Sequence, residues 1–580
     1  MKKILPLLML LSGLFLLPQP EVSLYAQDAA KSIDELVSKY NEYGYFDGSI
    51  LAADKGTVVL KKGYGMANIE WGIPNTPDTK FRVGSITKQF TSMLIMQLVE
   101  KGKISLDGKI TDYLPYYRKD TGDRVTIHML LTHTSGIPSY TSKAEFFDRT
   151  SRMSYKPDDF IKEQCSGDLE FEPGSKISYD NSGYFILGAI IEHVTGKNYE
   201  TVLRENILDL LGMKNTGYDH SEEIIPKRAS GYDRSGDGYR NTSFIDMSLP
   251  YAAGSLYSTV EDLFTWDKAL QTDKLLSAGL KKKLFEKYMK MGEMYYGYGW
   301  MTGKRFNGHD SMDVITHGGS INGFNSINYM IPEAGQYVIV FCNTGSAPLN
   351  KMTDQIIDIL NGKKATEPMK PLARILWRTL EKQGVESAIS KFRELKDKKD
   401  EYAYSETEIN LMGYDLLNAG RTDEAVEIFK LNTEEFPRSS NVYDSYGEAL
   451  LKKGLKEEAV KNYKKSLELN PGNENAVKVL KELGMEDLKT SELKLTDSEL
   501  KEFTGTYELA PAFSITVTVE GDKIFGQGTG QPRFEMFSMS KDKFYLKVVN
   551  AQVSFQRKDG KVTGMTLFQN GREMPGQKVK

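Results

Sequence analysis

The stretch FRVGSITKQF places Ser85 three residues ahead of Lys88. On a helix that spacing brings both side chains to one face. A serine hydroxyl is a weak nucleophile until a neighbouring group takes its proton. A lysine in a dry pocket loses proton affinity by desolvation and can take that proton. A helix N-terminus adds a positive dipole end, which favours developing negative charge. The plainer reading of Ser85 is an N-cap. The apolar body FTSMLIMQLV predicts a buried helix from Ser85 to Lys101, stopped at Gly102. Ser-x-x-Lys recurs at Ser491, Ser498, Ser538 and Ser540, in polar segments in or just before a β-patterned tail; only Ser85 opens a buried helix. Two further groups follow along the chain: Tyr179-Asp180-Asn181 and Thr316-His317-Gly318-Gly319-Ser320. Taken singly, Tyr179 reads as a core phenol, Asn181 as an N-cap and His317 as a strand residue.

These residues need a frame. GSILAADKGTVVLKKGYGMAN reads as a hairpin turned at Asp54-Lys55-Gly56. ITHGGSINGFNSINYMIPEAGQYVIVFCNT reads as two strands joined through Pro332-Glu333-Ala334-Gly335. Helical patterns lie between. Strands at both ends of a region with helices in its middle predict one antiparallel sheet flanked by helices, an α+β domain over residues 31–362.

The order S-x-x-K, Y-x-N, H-x-G over residues 31–362 resembles the serine β-lactamase and penicillin-binding protein fold, particularly its class C, D-peptidase and esterase branch. LLTHTSGIP (residues 130–138) and AAGSLYSTVEDLFTW (residues 252–266) resemble that branch too. The resemblance implies these roles. Ser85 is the acylated nucleophile and Lys88 assists proton removal. Tyr179 is the partner base and then the acid, with the charge of Lys88 bringing its phenol toward neutrality. Asn181 orients the substrate amide and holds Lys88. The backbone N–H groups of Ser85 and Ser320 form an oxyanion hole. Gly318 and Gly319 let a substrate backbone approach the strand. His317 stands where many β-lactamases carry a lysine for the substrate carboxylate. A neutral imidazole is a weaker anion partner, which favours peptidase or esterase chemistry. Asp180 replaces the commoner Ser or Ala and is expected to point away from Lys88. His133 is read as structural.

The remaining chain divides further. MKKILPLLMLLSGLFLL reads as a secretory signal over residues 1–26, with cleavage near Ala26, and predicts an exported protein, periplasmic or extracellular. In residues 366–488, Gly413, Gly420, Ala425 and Pro437 recur as Gly447, Gly454, Ala459 and Pro471, each 34 residues on, with Phe429 matched by Tyr463. This resembles the tetratricopeptide repeat. Residues 495–580 alternate as short strands with EGDK, KDGK and QNGR turns, predicting a small all-β barrel or sandwich. The chain is therefore expected to be multidomain.

Net charge is −4, with no basic excess of the kind nucleic acid requires. No later apolar stretch predicts a membrane span after signal removal. Six histidines without a metal-ligand spacing predict no metal and no cofactor. Cys165 and Cys342 leave one disulfide open. The leading expectation is a serine hydrolase acting through an acyl-enzyme on an ester, an amide or a D-amino-acid peptide. The alternative is a β-lactam- or peptide-binding sensor or scaffold with little turnover, in which the helical repeats hold a protein or peptide partner.

Overall fold

The structure is a computed structural model. It describes residues 24–579 apart from 237, 308–309, 346, 486–493, 511–512, 530, 532, 547–550 and 570–571. Residues 1–23, most of the predicted leader, lie outside the described residues. The expected cleavage point near Ala26 falls within a helix, α1 (Leu24–Glu42).

Eight strands form one antiparallel sheet. They are β1 (Gly48–Asp54), β2 (Thr57–Tyr64), β3 (Met289–Met291), β4 (Met294–Tyr296), β5 (Met301–Asn307), β6 (Asp310–Ile321), β7 (Phe324–Ile331) and β8 (Gln336–Cys342), in spatial order β3-β4-β5-β6-β7-β8-β1-β2. The β1–β8 pairing, with Leu51 opposite Ile339, closes the domain from its two ends. Successive strand residues face opposite sides of a sheet. Ile50, Ala52, Val338 and Val340 bury against α1 and α5 (Leu349–Leu360). Leu51, Ala53, Ile339 and Phe341 belong to the larger core, which includes α2 (Thr87–Glu100), α3 (Asn181–Thr195) and α4 (Val260–Leu270). Both faces are covered, so QYVIVFC is apolar without alternation. One sequence expectation is corrected here. What reads as two strands is three, because Asn322-Gly323 reverses the chain between β6 and β7, with Gly323 at φ +73°.

Seven helices follow between Leu372–Gln383 and Glu474–Glu482. Glu406–Asn418 pairs with Thr422–Glu435, and Ser440–Lys453 with Lys456–Leu469. The 34-residue offset has a packing cause. A Cβ on Gly413 would meet the Phe429 ring at 2.6 Å, and one on Gly447 the Tyr463 ring at 3.0 Å. The helical region meets the sheet domain where Gly236 N donates to Asp415 (2.7 Å) and Arg374 to Tyr43 O (2.9 Å). The tail, Gly505–Ala510 to Arg572–Lys578, is a closed eight-stranded barrel, its first and last strands paired through Tyr507 and Lys578. Cys165 and Cys342 are both free and buried.

Candidate active site

Ser85 sits in a single 3-10 turn, Gly84–Ile86, and α2 begins at Thr87. The capping position is Ile86, with no side-chain cap, so the expectation that Ser85 starts and caps the helix is corrected. Its hydroxyl is left free of backbone donors that a cap would engage. The turn is clamped from two sides: Val83 N donates to Leu256 O (2.9 Å), and Ser326 Oγ of β7 donates to Val83 O (2.8 Å). Gly84 takes φ +51°, and a Cβ there would lie 2.9 Å from Ser320 N. The backbone of Ser320 therefore lies directly against the Ser85 turn.

Lys88 is fully buried in the first turn of α2. Its Nζ has three neighbours: Ser85 Oγ at 3.1 Å, Asn181 Oδ1 at 2.8 Å and Ala253 O at 2.9 Å. Two of these are carbonyl oxygens, which only accept. An ammonium satisfies all three by donating, and the neutral amine does so by donating to the two carbonyls and directing its lone pair at the Ser85 hydroxyl. Desolvation holds Lys88 down at about 7, opposed by the charge of Asp180. The rings of Tyr179 and Tyr184 cover the nitrogen at 4.9 and 5.5 Å.

Asp180, not Asn181, caps α3. Its carboxylate accepts from Ser182 N (2.6 Å) and Gly183 N (2.9 Å), and it is buried rather than turned out to solvent. Burial pushes it up to about 7. Asn181 is thereby free to hold Lys88 through Oδ1, while its Nδ2 donates to Thr141 Oγ1 (3.0 Å) and its N–H to Ser139 Oγ (3.1 Å). Tyr179 lies over His133, ring centroids 4.3 Å apart. Burial pushes the Tyr179 phenol up, only partly offset by the Ser85 hydroxyl. The phenol thus stays protonated at neutral pH. The group brought near neutrality is Lys88, as expected of a lysine in a dry pocket, while the phenol expected to follow it is not.

His317 is buried, with Nδ1 2.6 Å from Gly318 O and Nε2 3.0 Å from the Tyr296 hydroxyl. A carbonyl only accepts, so Nδ1 donates and Nε2 accepts from Tyr296. Burial and the neighbouring Lys88 hold the imidazole down at about 4, so it is neutral at pH 7 and has no free nitrogen for a substrate. Gly318 and Ser320 are exposed on β6, past its last pairing with β5 at Thr316. Gly319 serves a different purpose from the one its sequence context implies. A Cβ there would lie 2.0 Å from Val83 O, so the glycine admits the Ser85 turn, not a substrate.

Sequence reasoning missed three supports. Ala253 contributes only a carbonyl, and Thr141 and Tyr296 stand in no motif. His133 is structural, in line with the sequence expectation: it takes φ +57°, accepts from Asp180 N at Nδ1 (3.1 Å) and packs on Tyr179, seating Tyr179 and Asp180 together. A cleft of about 310 Å³ opens on Ser85, Asn181 and Ser320, walled by Tyr140, Phe146 and Phe147. Among the described residues, no group of three or more His, Cys, Asp or Glu side chains is placed to hold a metal ion.

A serine against a buried lysine at the foot of such a cleft, on this α+β frame, defines a serine hydrolase of the β-lactamase-related kind. The chain belongs to the Beta-lactamase family, whose profile matches residues 33–361. A second profile, Domain of unknown function (DUF3471), matches residues 491–578. PbpX of Bacillus subtilis (strain 168), named for penicillin binding, is 30% identical over 340 residues, covering 58% of this chain and 81% of that protein. The D-amino acid amidase of Ochrobactrum anthropi SV3 is similar at 25% identity and TM-score 0.51, over 58% of this chain and 99% of its own. The penicillin-binding protein homologue of Pyrococcus abyssi shares the fold at 22% identity and TM-score 0.51, over 95% of this chain and 99% of its own.

Proposed function

We propose that this protein is an exported hydrolase that cleaves an ester, an amide or a D-amino-acid peptide through an acyl-enzyme on Ser85. The observation that carries the reading is the three-way contact of Lys88 Nζ with Ser85 Oγ, Asn181 Oδ1 and Ala253 O. As Ser85 Oγ attacks the carbonyl carbon, its proton passes to neutral Lys88. The oxyanion forms against the backbone N–H groups of Ser85 and Ser320. Its collapse breaks the bond to the leaving group, which takes the phenol proton of Tyr179, and Tyr179 recovers a proton from the Lys88 ammonium. Water then attacks the acyl carbon, gives a proton to the same pair and releases the acid, restoring Ser85. Asn181 fixes the direction of the Lys88 lone pair. The amidase relative supports amide chemistry. The helical region is read as tetratricopeptide-like and available to an extended peptide partner.

A neutral fluorophosphonate tests the nucleophile. Wild-type protein is expected to label at Ser85, and Ser85→Ala to remain unlabelled. Equal labelling of Ser85→Ala overturns the assignment.

A further inference from the structure

The cleft wall carries a charge that the acyl-transfer steps do not use. Among the described residues lining it, Asp233 is the one charged side chain. Asp233 is half-buried on the strand Tyr232–Ser235, whose Tyr232 N donates to Asn343 O (2.9 Å), tying it to the end of β8. One carboxylate oxygen accepts from Thr242 Oγ1 (3.2 Å). A Cβ on Gly345 would lie 3.2 Å from that oxygen, so glycine keeps the space beside it open. Arg240 stands opposite Asp233 in the hairpin, yet its guanidinium lies 3.7 Å from Asp415 of the helical region instead. No ion pair to Asp233 forms among the described residues.

Among the described residues lining the cleft, no cation is present to receive a carboxylate. His317 is neutral, with both ring nitrogens occupied. Ile245, Pro250 and Ile321 join the aromatic wall as apolar surface. An unpaired negative charge in a partly dry, apolar cleft attracts a cation and repels an anion.

We infer that Asp233 makes the cleft select acyl compounds that carry an ammonium group and an apolar side chain, such as amino amides, amino esters or peptides with a free amine, over carboxylate-bearing analogues. The inference rests on the acyl-enzyme reading of the same cleft, and the test separates the two. Ser85→Ala protein removes turnover and reports binding alone. Four compounds sharing a benzyl group and a carboxamide are compared by calorimetry: phenylalanine amide in both enantiomers, neutral 3-phenylpropionamide and the carboxylate 2-benzylsuccinamic acid. The ammonium compound is expected to bind at least about tenfold more tightly than the neutral one, and the carboxylate most weakly. Asp233→Asn in the same background is expected to bring the ammonium and neutral compounds within about threefold. Without any change at Asp233, raising ionic strength from about 0.01 M to about 1 M is expected to narrow the preference. Equal binding of ammonium and neutral compounds, a preference that survives Asp233→Asn, or a ratio indifferent to salt overturns the inference. Fluorophosphonate labelling of Ser85→Ala overturns the acyl-enzyme reading and leaves this comparison intact.

Discussion

Lys88 Nζ lies 2.8 Å from Asn181 Oδ1, a contact between the first turns of two helices 93 residues apart in sequence. It fixes the direction of the lysine lone pair as well as its position. The helix that carries Asn181 is itself capped by Asp180, one residue earlier. One short stretch therefore supplies the cap, the lysine's partner and, in Tyr179, the ring that covers it.

Desolvation holds Lys88 at about 7, and only its neutral form accepts a proton from Ser85. The rate of Ser85 acylation is expected to rise with pH through about 7 and then level off. Lys88→Ala is expected to lower the rate by about 100-fold or more. Stopped-flow acylation across pH checks both. A flat profile in the wild type removes Lys88 as the base.

Asp180 raises Lys88 through its charge, against the dominant effect of burial. Asp180→Asn removes that charge and keeps a good capping residue. The midpoint of the acylation profile is expected to move to lower pH, with little change in thermal stability. Asp180→Ala also loses the cap and is expected to cost about 1 kcal/mol in chemical unfolding. A midpoint that moves upward contradicts the assigned electrostatics.

Gly319→Ala forces β6 and the Ser85 turn apart, since the new Cβ would lie 2.0 Å from Val83 O. Destabilisation of about 1–3 kcal/mol is expected, together with a fall in kcat/KM larger than that of Gly318→Ala, whose Cβ would meet nothing closer than Ser326 O at 3.5 Å. Equal effects at the two glycines refute the close-approach argument.

His317→Lys is expected to bury a second amine beside Lys88 and to break the bond from the Tyr296 hydroxyl. A loss of several kcal/mol follows from placing a charge there. No new affinity for carboxylates is expected, because position 317 faces the interior. Tight binding of 2-benzylsuccinamic acid by a folded His317→Lys protein runs against this placement.

The three motifs were legible because each is local. A helical i, i+3 spacing is a property of the backbone, and a long apolar run such as FTSMLIMQLV predicts a buried helix. The sheet was legible in outline for the same reason. Its break at Asn322-Gly323 was overlooked, although Asn-Gly between Ile321 and Phe324 is itself a hairpin signal. Thr141 left no signal, since a single threonine has no pattern, and Ala253 sat in the recognised segment AAGSLYSTVEDLFTW without its role being legible, since a main-chain carbonyl has no residue type.

The sequence by itself determined which residues could react: a serine and a lysine at helical spacing, a Tyr-x-Asn segment and a glycine-rich strand in a recognisable order. Only the tertiary structure decided what each one does. Burial is set by the whole core, and burial brought Lys88 down to about 7 while pushing Tyr179 up. It also turned His317 inward as a neutral partner of Tyr296. Proton affinity depends on solvent exclusion and on charges that arrive from distant parts of the chain, and no local pattern encodes either.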